Sequence, residues 1–379
     1  MKTDVVVVGG GPAGCAAALT LRKYSDLRVA VIDGRRAGEP SIGETIGPGA
    51  YGILAWLGVW PSFLADGHLQ AHSTAAAWGS PEILHQEFFF GGQGFGWHLD
   101  RAKFDRMLVN AVVEAGGDLI AGATFRTISK GRDTFWKVEG LSEGAAVEIE
   151  ADFLIDATGR QSRVARELGA NSRAFDGLCG IVGFYSAPSL EVENFAVIES
   201  VPEGWWYSAP LPDGRVAVAF MSDSDLIRAT RAHEAQEWSE LLMKTVHTRD
   251  RVVGQRLLGP LVVRSASSRC LDRAGGDHWL ATGDAVAAFD PLSSMGIGHA
   301  LTSGAHAARV AENVLRGSGG LMAGYLEGVA TNFSGYLELR SRFYGVERRW
   351  MDKPFWSRRN LSKSGEPVLE LALSGPFAE

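Results

Sequence analysis

Gly9, Gly11 and Gly14 stand in G-x-G-x-x-G spacing directly behind the apolar run Asp4–Val8. Such a β-branched run reads as a strand buried on both faces, and Cys15–Arg22 after the glycines reads as a helix. The chemistry on offer is phosphate binding. The first glycine makes a tight turn, the second lets backbone approach a pyrophosphate, and the helix N-terminus supplies N–H donors and a favourable dipole. Val29–Ile32 reads as a second strand ending at Asp33, roughly 20 residues beyond the motif, where an acid can bind a ribose hydroxyl.

A second constellation lies far along the chain, from Gly283-Asp284 through Asp290-Pro291-Leu292-Ser293-Ser294-Met295-Gly296-Ile297. An Asp at a strand end can hydrogen-bond a ribityl hydroxyl. A Gly-Ile step opening a helix can bring backbone N–H groups against a flavin ring, and the helix dipole favours negative charge there. The two constellations fit one ligand, and that ligand is FAD. His98 and His299 are candidate proton acceptors near pH 7, although a lone His beside an apolar segment is more often hydrogen-bonded structure. Phe88, Phe90, Trp97, Trp206 and Met295 are candidates to line a pocket for a planar substrate. For any one of these aromatics, a place in an ordinary core is an equal expectation.

The elements that must position these groups alternate in a pattern of one nucleotide domain with insertions. The expected fold class is α/β: a Rossmann-like FAD-binding domain, an inserted and mostly antiparallel β-sheet substrate domain, and a helical C-terminus. The FAD-binding domain is expected over 1–73, 96–176 and 264–330, the substrate domain over 74–95 and 177–263, and the C-terminal helical region over 331–379. Within them, the spacing predicts helices near Tyr51–Leu57, Ala102–Ala115, His233–Val246 and Ser294–Leu315. Strands are predicted at Asp152–Ile155, Ile181–Tyr185, Phe195–Ser200, Trp205–Pro210 and Val216–Met221. Arg340–Arg359 mixes arginines with Phe343, Tyr344, Trp350, Phe355 and Trp356. It reads either as a partner-docking lid or, as the default, as an amphipathic helix packing its aromatic face on the protein.

Composition narrows the class of partner. The net charge is −7 and no window is basic enough to track nucleic acid. Cys15, Cys179 and Cys270 show neither metal spacing nor a disulfide pattern, which points to a reducing cytoplasm. The first apolar run is the dinucleotide strand itself, so no cleavable signal is expected. No apolar stretch approaches the ~20 residues of a membrane span.

With these residues in hand, the chain resembles the two-dinucleotide-domain flavoprotein superfamily that includes p-hydroxybenzoate-type hydroxylases, geranylgeranyl reductases and tryptophan halogenases. The likeness rests on Gly9–Gly14, Asp156–Arg166 and Gly283–Ile297. Gly43-Glu44-Thr45 and Trp205-Trp206-Tyr207-Ser208-Ala209-Pro210-Leu211 are similar to the halogenase-like branch. The latter departs from the Trp-x-Trp-x-Ile-Pro of halogenases at two fixed positions. Pro291–Ile297 with Glu347–Trp350 and Pro354–Arg359 resembles the sub-branch that matures tryptophan-derived quinone cofactors in lysine ε-oxidase, glycine oxidase and quinohemoprotein amine dehydrogenase.

The resemblance implies an FAD site built from Gly9, Gly11, Pro12, Ala13, Gly14, Asp33, Arg35, Glu44, Thr45, Arg101, Phe125, Ala157, Gly159, Gly283, Asp284, Pro291, Ser294, Gly296 and Ile297. It implies no metal. Halogenases of this kind use a Lys in the strand after the region of Thr74–Trp78 and a Glu inside Pro-Leu-x-Ser. Here no Lys lies between Lys23 and Lys103, and the Glu position is Ser293. Halogenation is therefore disfavoured. The expectation is aromatic hydroxylation through a flavin C4a-hydroperoxide, with NAD(P)H or a partner reductase as electron donor, on an aromatic substrate that could be a Trp of a precursor protein. Hydroxylation of a small aromatic or indole, a geranylgeranyl-reductase-like activity, and a non-catalytic flavoprotein scaffold are the other readings.

Overall fold

Val5–Val8 are all buried, as a strand covered on both faces requires. A computed structural model describes residues 1–35, 43–88, 94–142, 144–186, 193–318 and 320–360. The strand Lys2–Val8 pairs in parallel with Val29–Asp33 on one side and with Ala145–Asp156 on the other. Asp118–Ala121 extends the parallel set beyond Val29–Asp33, and Trp279–Ala281 extends it beyond Asp156. The antiparallel strands Ala123–Lys130 and Trp136–Ser142 lean on the long strand from Ala145.

Val5 and Val7 face the helices Pro12–Tyr24 and Gly296–Leu315, while Val6 and Val8 face a second apolar layer around Phe125, Trp136 and Phe289. The two helices pack almost backbone to backbone. A Cβ on Gly304 would lie 2.1 Å from the Ala13 carbonyl oxygen, so only glycine permits the approach.

The second sheet runs, among the described residues, Leu257–Ser265, Leu178–Ser186, Arg215–Asp223, Gly204–Pro210, Phe195–Val201, Ser73–Ala77 and Leu84–Glu87. All its pairings are antiparallel except Phe195–Val201 with Ser73–Ala77. The fold class is thus α/β with a mostly antiparallel inserted sheet. A small sheet of Thr45–Ile46, Gly96–His98 and Leu69–Ala71 is a further junction in the chain.

Some elements differ from the sequence reading. The helix expected at His233–Val246 is only Ala235–Leu242. A separate turn, His247–Asp250, starts where the Glu199 carboxylate accepts the N–H groups of Val246, His247 and Thr248 at 2.7, 3.1 and 2.8 Å. That cap comes from a distant strand, so no local signal announces it. The helices Trp60–Ala65 and Ser224–Thr230 were not anticipated.

The C-terminal helix Gly320–Val346 runs unbroken through residue 331 and buries Tyr325, Phe333, Tyr336 and Tyr344. Pro354–Asn360 then buries Phe355, Trp356 and Arg359. These rings pack on Trp205, Met221 and Val182 of the second sheet, as the amphipathic-helix default expects. No helix among the described residues is long and apolar enough to cross a membrane.

Candidate flavin site

The register of the parallel strands decides where the motifs meet. Val8 stands opposite both Ile32 and Asp156, and Asp156 stands opposite Ala281. Gly9, Asp33, Ala157 and Gly283 therefore all sit at the carboxyl ends of adjacent parallel strands, the edge where open α/β sheets bind ligands. Four segments far apart in sequence share one crevice.

The glycine loop is cut to fit a pyrophosphate. Gly9 has φ +117°, and a Cβ there would meet the Ala157 carbonyl oxygen at 2.1 Å. A Cβ on Gly14 would meet the Gly9 carbonyl oxygen at 1.8 Å, whereas one on Gly11 would meet nothing within 4 Å. Gly9 and Gly14 are thus demanded by the protein itself, and Gly11 borders open space at the helix N-terminus. No side chain caps that helix at Gly11, and Pro12 and Ala13 open it. Its first N–H groups are left for an anion.

Asp33 is buried beside Gly10, but it is not solitary. Arg35 pairs with its carboxylate at 2.8 Å, with Asp105 at 3.1 Å, and donates to the Gly10 carbonyl at 2.6 Å. The Arg35 backbone N–H and Nε also donate to Asp33 Oδ1 at 3.1 and 3.0 Å, so the arginine occupies this carboxylate and a ribose hydroxyl would have to share or displace one of its bonds.

Asp284 lies 3.3 Å from Arg160, which also donates to the carbonyls of Ser267 and Phe289 at 2.7 and 2.9 Å. Arg160 thereby ties the turn after Gly159 to the second flavin motif, a role that its place in the Asp156–Arg166 segment does not by itself reveal. Asp156 holds the turn, accepting from Thr158 N and Ala165 N at 2.9 and 2.7 Å. Arg101 donates to the Gly43 carbonyl at 3.0 Å and pairs with Asp105 at 3.2 Å, so it orients the loop carrying Glu44 and Thr45. Glu44 is buried, and burial pushes its carboxyl up against the opposing charge of Arg101. Its Oε1 has no partner among the described residues.

At the second motif, Gly283 N–H donates to Ser303 Oγ at 3.0 Å. The turn at Pro291 bends through Ser294 (φ +52°) into the helix at Gly296. No side chain caps this helix, and a Cβ on Gly296 or Gly298 would meet nothing within 4 Å. The Ile297 side chain is core, leaving its backbone as the part available to a ligand. Phe125 is buried in the layer with Trp136. The open side of Gly11, the uncapped helix at Gly296 and the orphaned Glu44 oxygen together fit FAD.

The expected pocket residues separate. Trp206 faces away from the C-terminal helices, packing on Phe220 and Trp238 with ring centroids 4.8 and 4.7 Å apart. Strand alternation sends its neighbours Trp205 and Tyr207 to the other face. Trp97 packs edge-on against Trp60 and Phe63, within the FAD-side core. The Phe88 ring covers Gly96, Met295 is 38% exposed at the helix start, and Phe90 lies outside the described residues.

Neither histidine is poised to exchange a proton near pH 7. His98 is fully buried with Nδ1 3.1 Å from Thr45 Oγ1, and burial with the Arg251 charge pushes it down to about 3. Burial pushes His299 down to about 4, with the Gly283 carbonyl working the other way. Its ring packs on Phe289 and lines a cavity of about 440 Å³ with Trp56, His306 and Tyr325, behind the flavin-side helix.

Linkage follows from His98. Above its unfolded value of 6.5 it is neutral in both states and stability is full. As pH falls from there towards 3, the unfolded chain takes up a proton that the folded chain refuses, so stability is lost. Denaturant titrations should show stability falling below pH 6.5, with a shallower fall in His98→Asn. An identical slope in the variant would remove His98 from this account.

A family profile described as FAD binding domain matches residues 2–323. LodB of Marinomonas mediterranea, named as a putative FAD-dependent oxidoreductase, is 33% identical over 360 residues, covering 94% of this chain and 96% of the relative. Among solved structures, the myxobacterial chondrochloren halogenase CndH superposes with a TM-score of 0.88 at 21% identity, over 96% of this chain and 87% of that one. The peptidyl tryptophan dihydroxylase QhpG, essential for tryptophylquinone cofactor biogenesis, superposes with a TM-score of 0.72 at 25% identity, over 95% and 79%.

Proposed function

The chain belongs to the FAD-binding domain family of flavin-dependent oxidoreductases, and on that premise we propose that it hydroxylates an electron-rich aromatic, a Trp side chain of a precursor protein. Bound FAD, once reduced, supplies the oxygen activation. NAD(P)H or a partner reductase supplies the electrons.

The observation that carries the reaction class is the make-up of the strand after Thr74–Trp78 and of Ser293. That strand, Leu84–Glu87, is Leu-His-Gln-Glu and offers no amine, and Ser293 Oγ is spent on the Asp290 carbonyl at 2.8 Å. A flavin site without a halide-relaying Lys or Glu favours oxygen transfer over halogenation. The likeness to QhpG supports a peptidyl Trp as substrate.

The protein's own contribution is then binding, orientation and exclusion of water. Gly11 and the first turns after Gly11 and Met295 hold the cofactor by backbone N–H groups. His98 and His299, both kept neutral, add no charge beside it. Water exclusion matters because an open site loses its oxidant as hydrogen peroxide.

Turnover under isotopic oxygen gas tests the reaction class. One labelled oxygen is expected in each new hydroxyl of the product, with peroxide leakage falling when the precursor protein is added. An unlabelled, reduced product would instead establish an alkene reductase of the geranylgeranyl type. Tightly coupled hydroxylation of a free indole would overturn the protein substrate alone.

A further inference from the structure

The strand Gly204–Pro210 presents Trp205 and Tyr207 on one face, and each reaches a different flavin loop. Tyr207 OH is hydrogen-bonded to Thr45 Oγ1, which also contacts His98 Nδ1 at 3.1 Å. Thr45 belongs to the loop that Arg101 holds through Gly43. Trp205 Nε1 donates to Tyr344 OH at 3.1 Å, and Tyr344 OH donates to the Asp290 carboxylate at 2.8 Å.

Asp290 immediately precedes Pro291 and is 1% exposed. Its other oxygen caps Leu292 N at 2.9 Å, its N–H donates to Tyr336 OH at 2.7 Å, and Arg340 pairs with it at 3.3 Å. The turn leading into the Gly296 helix is therefore hung on the C-terminal helix, and through Tyr344 on the second sheet.

We propose that Trp205 and Tyr207 are positioning residues, a two-pronged link through which the substrate sheet sets the two loops that border the flavin. Tyr207 acts on the Gly43–Thr45 loop directly, and Trp205 acts on the Asp290–Ser294 turn through Tyr344. A displacement of this strand when substrate docks moves both loops together, because each prong is made of buried hydrogen bonds for which water does not compete. Burial favours the neutral phenols in both prongs: it pushes Tyr207 up, with the Glu44 charge adding to it, and pushes Tyr344 up, with the Asp290 charge adding to it. Trp206, between them, belongs to the opposite face and contributes only packing. The inference rests on FAD binding in this crevice and is independent of what the substrate is.

The test uses the full chain reconstituted with FAD, reading the FAD dissociation constant and the visible flavin spectrum. Tyr207→Phe keeps the ring and deletes one hydrogen bond, whereas Trp205→Phe deletes the Nε1–H bond and also shrinks the indole to a phenyl, a packing loss that Trp206→Phe matches. Each should weaken FAD binding about five-fold, the effect of one such bond, and shift the flavin absorption bands. Trp206→Phe should lower the denaturation midpoint yet leave affinity and spectrum unchanged. Because the prongs touch separate loops, the Trp205→Phe and Tyr207→Phe effects should multiply in the double variant. Trp205→Phe added to Tyr344→Phe should do nothing further, since they share one prong. Wild-type affinity and spectrum in Trp205→Phe and Tyr207→Phe would overturn the proposal, as would an equal change in Trp206→Phe. If Trp205→Phe does not fold, Tyr344→Phe reads the same prong from the helix side, and if Tyr207→Phe does not fold, Thr45→Val reads the other prong from the loop side. Failure of the wild-type chain itself to take up FAD would instead sink the cofactor reading.

Discussion

Gly14→Ala should yield a protein that is colourless as isolated and that takes up FAD only at far higher concentrations than the wild type. The added Cβ would sit 1.8 Å from the Gly9 carbonyl oxygen, with the Ala157 Cβ 3.2 Å away, and neither is the free end of a flexible side chain. Backbone must move, and the backbone in question is the phosphate loop. Overpacking of this severity costs about 3 kcal/mol, the upper end of the usual range. Charged against the bound geometry, that is on the order of a hundredfold in FAD affinity.

Gly11→Ala is the matched control. Its Cβ meets no protein atom within 4 Å, and φ there is an ordinary −70°. The apo fold should keep its denaturation midpoint while FAD affinity still falls, because the methyl enters the space the pyrophosphate needs. Visible absorbance after desalting and denaturant titration of the apo proteins separate the two. Equal stability loss in both variants, or a yellow Gly14→Ala protein, would refute this account of the loop.

Asp223→Ala should be the most damaging single change away from the crevice. Asp223 accepts from both terminal nitrogens of Arg359, at 3.2 and 2.8 Å, and from Arg358 at 2.9 Å. Both members of the Asp223–Arg359 pair are 4% exposed at the side chain. The Arg359 guanidinium lies 3.6 Å over the Phe355 ring. Removing the carboxylate leaves a buried guanidinium with, among the described residues, the Phe355 carbonyl at 2.9 Å and the faces of Phe355 and Tyr344. Stranding one partner of a buried pair typically costs about 3–5 kcal/mol.

The segment Pro354–Asn360 should loosen first, exposing Trp356, whose Nε1 donates to the Val201 carbonyl at 2.8 Å. A red-shifted tryptophan emission at denaturant concentrations where the wild type is folded would report it. The neighbouring Arg358–Asp225 pair is half-exposed and its loss should cost little, ~0–1 kcal/mol. An Asp223→Ala protein as stable as the wild type would show that this strap is not held by its buried charge.

How much of this was legible in the residue order depends on the range of the force involved. The phosphate loop was legible because its constraint is local: Gly9 and Gly14 are set by atoms within a turn or across one strand pair. The strand before the loop is buried on both sides, which its unbroken valines declare. The second motif could be read for the same reason, and the missing Lys and Glu of a halogenase are facts of sequence.

Other features had no local signature. Gly304 looks like a weak spot in a helix until Ala13 is placed against it. Asp290 reads as a simple cap until Tyr344 and Arg340 arrive from 50 residues away. Alternation along Gly204–Pro210 says that Trp205 and Trp206 point oppositely, but not which of them meets the C-terminal helices. The histidines, read from sequence as titratable near neutrality, are held neutral by burial that only packing creates. Short-range sterics and hydrogen-bond periodicity wrote the cofactor loops and the sheets into the sequence. Desolvation and the pairing of distant polar groups, which depend on what covers each residue, were decided by the tertiary structure alone.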